Sequence, residues 1–392
     1  MRYIIKNLFF LTSALACLGL NSCRFKQSQT ESSWSGEMIR DSGNPTIQVQ
    51  YAKRFRLKSI NGFTVIEVSS PWPGSDDLFT YILRDHRNPN KMPDIPLSQV
   101  IEIPVKSIVC LSTTHLPYLE MIGEEDKLTG FPTTDYISSK IFRELVKQGK
   151  ITELGPTNDL NIERLISLNP TLVMAFSMGN DLGVIDKIRK AGIPVVMNAD
   201  YMENHPLGRA EWIKFVSLFF NRYQKADSIF NSIRDHYNNI RVKLMNVPVK
   251  PTVITGIVYG DTWFMPGGNN YASVFFRDAG ARYLWEADSS EATLQLSFET
   301  VYDKSADVDF WVGTATYESK ESLKNADSRY SEFKAFKNDK VYNYTARMGP
   351  TGGNEYFELG YARPDIVLAD LASIFHPEIL KDNSLYFYKK IE

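Results

Sequence analysis

The chain has 392 residues, with 44 basic and 46 acidic side chains, 43% hydrophobic and 23% charged residues. That length can house two domains with their own cores, and the composition is ordinary for a globular protein. A formal charge of −2 argues against a nucleic-acid partner, which needs a basic face.

In chain order, Met1–Leu20 opens with Arg2 and Lys6, runs apolar over Leu8–Leu20 and ends Leu20-Asn21-Ser22-Cys23. A charged start, a short apolar core and small residues before a cut describe a signal peptide. The Cys after Leu-Asn-Ser resembles a bacterial lipobox, which makes Cys23 the lipidated first residue of the mature chain. Removing residues 1–22 takes Arg2 and Lys6 away, leaving 42 basic against 46 acidic side chains, a charge of −4. Beyond the signal no run of 18 apolar residues offers a membrane span. Cys17 leaves with the signal, so Cys110 is alone in the apolar run Ser107–Leu111 and reads as a buried, inert thiol.

Residues 23–45 are rich in Ser, Gln and Gly and read as a flexible tether. They lack an acidic cluster after the Cys, which favours the periplasmic side over surface export. Residues 46–105 alternate: Ile47, Val49 and Tyr51, then Phe63 and Val65, then Tyr81–Leu83, broken by Asn61-Gly62 and Pro71–Gly74. Asn-Gly between such runs signals a hairpin, so this segment is expected to be a small N-terminal β-hairpin attachment.

From Lys106 the pattern changes to βα units, with strands at Ser107–Leu111, Lys127–Phe131, Leu172–Phe176 and Pro194–Asn198 and helices at Leu116–Ile122, Ile162–Leu168 and Val184–Ala191. Such alternation predicts a parallel sheet covered on both faces. Two helices follow, Leu207–Phe220 and Gln224–Met245. The second sets Ala226, Ile229, Phe230, Ile233, Tyr237, Ile240 and Leu244 on one stripe and spans about 33 Å. The units then resume: strand Thr252–Val258, helices Ala272–Ala279 and Phe298–Lys304, strand Phe310–Val312, helix Ser331–Phe336, strand Lys340–Tyr344 and a helix after Pro364. The expected fold is α/β: an N-terminal lobe over residues 106–223 and a C-terminal lobe over 247–392, each with a mostly parallel central sheet flanked by helices, joined by one long α-helix at 224–246.

The lobes echo each other. Asn161-Ile162-Glu163 and Ser297-Phe298-Glu299 each begin a helix, and each is followed at the same offset by the approach to a strand. Asn161 and Ser297 are good N-caps, and each Glu sits in the first turn, where the helix dipole favours a carboxylate. Either two helices share good N-terminal chemistry, or one lobe is duplicated with an exposed carboxylate on each half.

Three segments, in this order and spacing, carry a family resemblance: Ile108–Gly130, Gly155–Phe176 and Gly192–Val196. The chain resembles the substrate-binding proteins of ABC importers for iron-siderophores, cobalamin and haem, over about Lys106 to Pro377. Pro206-Leu-Gly-Arg-Ala-Glu-Trp212 is similar to a version found in Bacteroidetes lipoproteins. The resemblance implies that Glu163 and Glu299 dock on arginines of a permease dimer with its ATPase subunits. The signal peptide and lipobox set the expected location, outside the cytoplasm and held by a lipid anchor to a membrane facing the periplasm. The departures from the family are Thr171, where the family often has Asp, and residues 46–105, which only some members carry.

The same resemblance puts ligand contacts in loops at the strand ends. In the first lobe these offer Thr114 and His115, Tyr136, and Phe176 and Ser177; in the second, Trp263, Trp285 and Arg347. Several have a plainer alternative: a helix cap for the hydroxyl of Thr114, neither ligand contact nor metal ligation for His115, a core position for Trp285, a solvated surface for Arg347. The five histidines are far apart with no metal-ligand spacing, so no intrinsic metal or cofactor is expected. Gly-x-Ser-x-Gly, His-Glu-x-x-His and the P-loop pattern are absent, so a binding protein is favoured over an enzyme. The other rival is an adhesive lipoprotein working through residues 46–105; a cleft binder is expected to keep its ligand when that segment is deleted. The favoured cargo is an iron-siderophore or similar metal chelate, with cobalamin next and haem third.

Overall fold

A computed structural model describes residues 47–96, 98–381 and 383–392. The signal segment, Cys23 and the tether lie outside the described residues.

The N-terminal segment forms a four-stranded sheet, β1 (Phe55–Ile60), β2 (Phe63–Ser69), β3 (Leu78–Asp85) and β4 (Ser98–Ile103), in that order. Asn61 and Gly62 both take positive φ, 53° and 76°, as a two-residue hairpin turn between β1 and β2 requires. The β4 strand pairs parallel to β3, so the segment is not hairpins throughout.

Ile47, Val49 and Tyr51 were expected on a strand but lie in no sheet. Two buried carboxylates take their place as partners. Glu211 accepts the backbone N–H of Gln50, Tyr51 and Ala52 at 2.6–3.0 Å. Glu203 accepts those of Lys53 and Arg54 at 2.9 Å. The wholly buried Lys214 ammonium holds Glu211 at 3.1 Å and the Gln48 carbonyl at 2.7 Å. A buried carboxylate needs such donors to stay tolerable. The sheet is therefore built into the first lobe: Phe55, Ile66 and Tyr81 belong to the main core, and the Tyr81 hydroxyl accepts the N–H of Met197 at 2.9 Å.

The first lobe carries β5 (Ile108–Cys110), β6 (Leu128–Phe131), β7 (Thr152–Glu153), β8 (Leu172–Ala175) and β9 (Val195–Met197), all parallel, in the order β7-β6-β5-β8-β9. Its helices are α1 (Leu116–Ile122), α2 (Lys140–Lys147), α3 (Ile162–Leu168) and α4 (Gly183–Lys190). Strands β5, β8 and β9 are buried at every position, as a parallel sheet with both faces covered demands. Cys110 lies among them as a free buried thiol, pushed up by burial.

The predicted helix Leu207–Phe220 is two helices, α5 (Pro206–Ala210) and α6 (Trp212–Leu218), meeting at Glu211. The long helix α7 (Tyr223–Leu244) buries Ala226, Phe230, Ile233, Tyr237, Ile240 and Leu244, six of the seven stripe positions.

In the second lobe the predicted strand Thr252–Val258 is broken into β10 (Thr252–Ile254) and β11 (Val258–Tyr259). Between them Gly256 takes φ +80°, and a Cβ there would lie 2.4 Å from the Phe264 carbonyl, so only glycine fits. Strands β12 (Thr262–Pro266) and, beyond α8 (Tyr271–Asp278) and β13 (Arg282–Tyr283), β14 (Thr293–Leu296) complete a small antiparallel sheet with β11. After α9 (Phe298–Ser305) come β15 (Phe310–Val312), α10 (Lys320–Ala326), α11 (Lys334–Lys337), β16 (Val341–Asn343), α12 (Glu355–Leu359), α13 (Pro364–Phe375) and β17 (Lys389–Lys390). A 3₁₀ turn over Ser328–Glu332 takes the first part of the helix expected at Ser331–Phe336.

The main sheet of this lobe is ordered β13-β10-β15-β16-β17, parallel except for β17. Four strands of each lobe correspond, β6-β5-β8-β9 and β13-β10-β15-β16. Helix α3 precedes β8 and α9 precedes β15, so the helices carrying Glu163 and Glu299 occupy equivalent places. Helix α13 lies along α7, tied by His236 Nδ1 to Asp365 Oδ2 at 2.9 Å.

Candidate functional site

The parallel strands of both lobes end in loops that meet across the junction. In the first lobe β5 runs into Ser112–His115. Ser112 Oγ accepts the Thr114 N–H at 3.3 Å, so the capping side chain is Ser112 and not Thr114. The Thr114 hydroxyl lies 3.4 Å from Asp200 Oδ1, and the Tyr118 hydroxyl reaches Asp200 Oδ2 at 3.3 Å and the Arg209 carbonyl at 2.8 Å. Burial lifts the Asp200 carboxyl to about 6, against the lowering by these hydroxyls and by Arg209.

His115 is fully buried, and neither ring nitrogen has a hydrogen-bond partner. Burial lowers it to about 3, so it is neutral. Its ring stands edge-on to Phe176 at 6.5 Å, and Phe176 edge-on to Tyr201 at 6.4 Å. Ser177 holds its own loop: its hydroxyl donates to the Gly179 carbonyl at 2.6 Å, and its carbonyl accepts from the Tyr201 hydroxyl. What this loop leaves open is Met178, and the loop after β6 leaves open Tyr136, at 68% and 64% exposure.

The second lobe meets these loops through residues 347–359. The Thr351 hydroxyl donates to the Asp135 carbonyl at 2.7 Å. A Cβ on Gly353 would lie 2.4 Å from the Tyr136 carbonyl, so glycine allows the backbones to touch. Glu358 reaches across the junction and accepts Ser138 N–H at 2.7 Å, Ser138 hydroxyl at 2.8 Å and Ser139 N–H at 3.0 Å. Burial raises it to about 7 in spite of these bonds, with Glu120 adding to the rise. Arg347 is half-exposed over the Tyr386 ring at 3.8 Å, 4.0 Å from Glu355. A cavity of about 540 Å³ opens here, lined by Glu120, Ser138 and Lys140 on one side and Arg347, Met348 and Glu355 on the other. The arrangement can hold a solute between two faces that bear aromatic, cationic and carboxylate groups. Among the described residues there is no cluster of three or more His, Cys, Asp or Glu that could hold a metal.

The structure thus brings Tyr136 and Arg347 to the junction and groups Thr114, His115, Phe176 and Ser177 behind it. It separates the two tryptophans from them. Trp263 is fully buried, donates Nε1 to the Thr255 carbonyl at 3.0 Å and packs on Phe298, Trp311, Tyr330 and Phe333. Trp285 is 8% exposed with the Lys304 ammonium over its ring. Trp263, Trp285 and His115 are core residues with little or no face for a ligand.

Glu163 and Glu299 are both exposed. Asn161 caps the first helix through the Arg164 N–H at 2.8 Å, and Ser297 the second through the Thr300 N–H at 3.2 Å. Glu299 pairs with Arg329 at 3.1 Å.

Sequence reading missed Glu358, Tyr201, Trp72 and Arg209. Only Arg209 carried a signal, as part of Pro206–Trp212. Its guanidinium stacks between Tyr271 and Tyr361 of the second lobe, 3.4 and 4.2 Å from the ring centres. Glu211 and Trp212 of the same motif bind the N-terminal segment.

Two α/β lobes, a long connecting helix and a loop-lined junction define a two-lobed binding protein. The family model for periplasmic binding proteins matches residues 108–348, and the chain belongs to that family, whose members bind solutes and are not enzymes. Relatives include an uncharacterized lipoprotein of Methanocaldococcus jannaschii, 27% identical over 74% of this chain and 70% of its own. An uncharacterized ABC transporter substrate-binding lipoprotein of Bacillus subtilis is 26% identical over 36% and 43%. Among solved structures, a periplasmic heme-binding protein of Pseudomonas aeruginosa superposes with a TM-score of 0.56 at 19% identity, over 74% of this chain and 98% of its own. Helicobacter pylori CeuE with Ni(II) bound gives 0.56 at 20%, over 73% and 88%. The chain is a solute-binding protein of the ABC-importer type.

Proposed function

We propose that this protein is the lipid-anchored, extracytoplasmic binding component of an ABC importer. It takes a metal chelate, an iron-siderophore first, between its lobes and hands it to a permease dimer. The observation that carries this is the pair of equivalent helices, α3 and α9, each N-capped and each offering one exposed first-turn glutamate. A two-fold transporter needs two matched contacts, and an arginine–carboxylate pair gives each a direction. Exposed pairs contribute mainly register and steering, so the Glu299–Arg329 pair is easily exchanged for a permease arginine. Cobalamin is the second reading and haem the third; one structural neighbour is a vitamin B12 binding protein of Vibrio cholerae and another a heme-binding protein of the same species.

The cargo is tested by metal analysis and absorbance spectra of protein purified from its host. Retained iron without a porphyrin band supports the siderophore reading; cobalt or a Soret band replaces it. Docking is tested by Glu163→Ala with Glu299→Ala, which should abolish uptake while binding persists. Uptake at the parental rate removes the docking role.

A further inference from the structure

A second cavity, of about 560 Å³, is bounded by three parts of the molecule: Arg54 and Trp72 of the N-terminal segment, Tyr201 and Arg209 of the first lobe, Asn270 and Thr293 of the second. We propose that the loop 70–77, between β2 and β3, is a third wall of the cargo site, and that the compartment it closes receives anionic oxygens of the cargo. The cargo would then be a carboxylate- or catecholate-bearing iron chelate rather than a neutral one; this rests on the chelate reading above.

Two observations join the wall to the cargo loop. Trp72 is 2% exposed, and its Nε1 donates to Asn180 Oδ1 at 2.6 Å. The Tyr201 hydroxyl, bonded to the Ser177 carbonyl, also lies 3.4 Å from the Pro71 carbonyl. Residues 70–72 and the loop Phe176–Asn180 are therefore one hydrogen-bonded unit. Trp72 is a positioning residue for that loop.

The charges favour an anion at the deep end. Arg209 is buried, and its Nε and Nη2 donate to the Glu203 and Tyr201 carbonyls at 2.9 and 2.8 Å. Its Nη1 is buried with no hydrogen-bond partner, and the Tyr361 ring lies 4.2 Å from the guanidinium. Among the described residues neither Arg209 nor Arg54 forms an ion pair. Nearby Asp200 is committed to Thr114 and Tyr118, and Glu203 to backbone N–H groups. Asp76 and Glu291 also line the cavity, but both are exposed, so water screens them. A buried guanidinium on which the neighbouring carboxylate, Asp200, acts without forming an ion pair is stabilised by an incoming anion more than a solvated one is.

The test uses the full chain with two probes, anionic ferric citrate and neutral ferrichrome, each titrated calorimetrically. Wild type should prefer ferric citrate. Arg54→Gln, which keeps the backbone bond to Glu203, should lower the ratio of the two affinities by about tenfold, the loss of one charge-assisted hydrogen bond. Trp72→Phe should speed amide exchange across residues 177–182 more than across the remainder of the first lobe. Equal binding of both probes by wild type, or an unchanged ratio in Arg54→Gln, overturns the anionic compartment, while iron retained from the host leaves the chelate reading standing. Unchanged exchange in Trp72→Phe overturns the wall. A wild type that binds neither probe and carries no iron, cobalt or porphyrin overturns the chelate reading and the anionic compartment with it; the exchange result still decides the wall.

Discussion

The two lobes share four corresponding strands yet treat their strand ends differently. In the first lobe β5 leads directly into Ser112–His115, and Tyr136 and Met178 are left open beside it. In the second lobe β10 leads into the β11-β12-β14 sheet, which lays Trp263 on Trp311 at 5.5 Å and fills the equivalent space with aromatic core. Its junction face comes instead from the loop after β16 and from α12. The same strand order therefore gives one lobe a ligand-facing end and the other a sealed one. What decides is the insertion that follows the first strand, and not the sheet itself.

That contrast can be broken at its strongest point first. Trp263→Ala should cost about 3–5 kcal/mol, the usual penalty for emptying a buried aromatic site, and lower the thermal midpoint. Tyr136→Ala should leave the midpoint almost unchanged and weaken only cargo binding. A stable Trp263→Ala protein with impaired binding would reverse the assignment of the two residues.

The junction is the next point. Glu358→Gln keeps one acceptor for Ser138 and removes the charge, so denaturant titration at pH 7 should move by roughly 1–3 kcal/mol at most. The pH dependence is more telling. Glu358 rises from 4.5 to about 7 on folding, so its protonated form favours the native state. That contribution is complete below about pH 4.5 and is lost as pH rises through 7. Wild type should lose stability across this window, and Glu358→Gln should lack that part of the slope. Asp200, raised from 3.8 to about 6, leaves a slope of the same sign in both proteins. The smallest effect belongs to Glu163→Ala with Glu299→Ala, exposed helix positions where unfolding curves should overlay those of wild type within roughly 0.5 kcal/mol.

The expectation that residues 46–105 can be deleted without loss of ligand does not fit the structure, because the segment shares the main core and its backbone satisfies Glu203 and Glu211. Deletion would strand two buried carboxylates, a costly change.

The sequence alone determined the α/β character, the long helix and the matched caps at Asn161 and Ser297. These follow from periodicities of two and 3.6 residues and from side chains that bond within their own turn, all local physics. Gly256 and Glu211 mark where local reading stopped: the first breaks a strand because of Phe264, and the second replaces strand pairing for Gln50–Ala52. Which aromatic residues face the junction was settled only by tertiary structure. Tyr136 and Trp263 both sit near strand ends, and nothing within a few residues of either tells them apart. Burial depends on what packs alongside, here Phe298, Trp311, Tyr330 and Phe333 around Trp263 and open space beside Tyr136. The reach of Glu358 to Ser138, and of Trp72 to Asn180, likewise spans more than a hundred residues of chain, beyond any pattern a window of sequence contains.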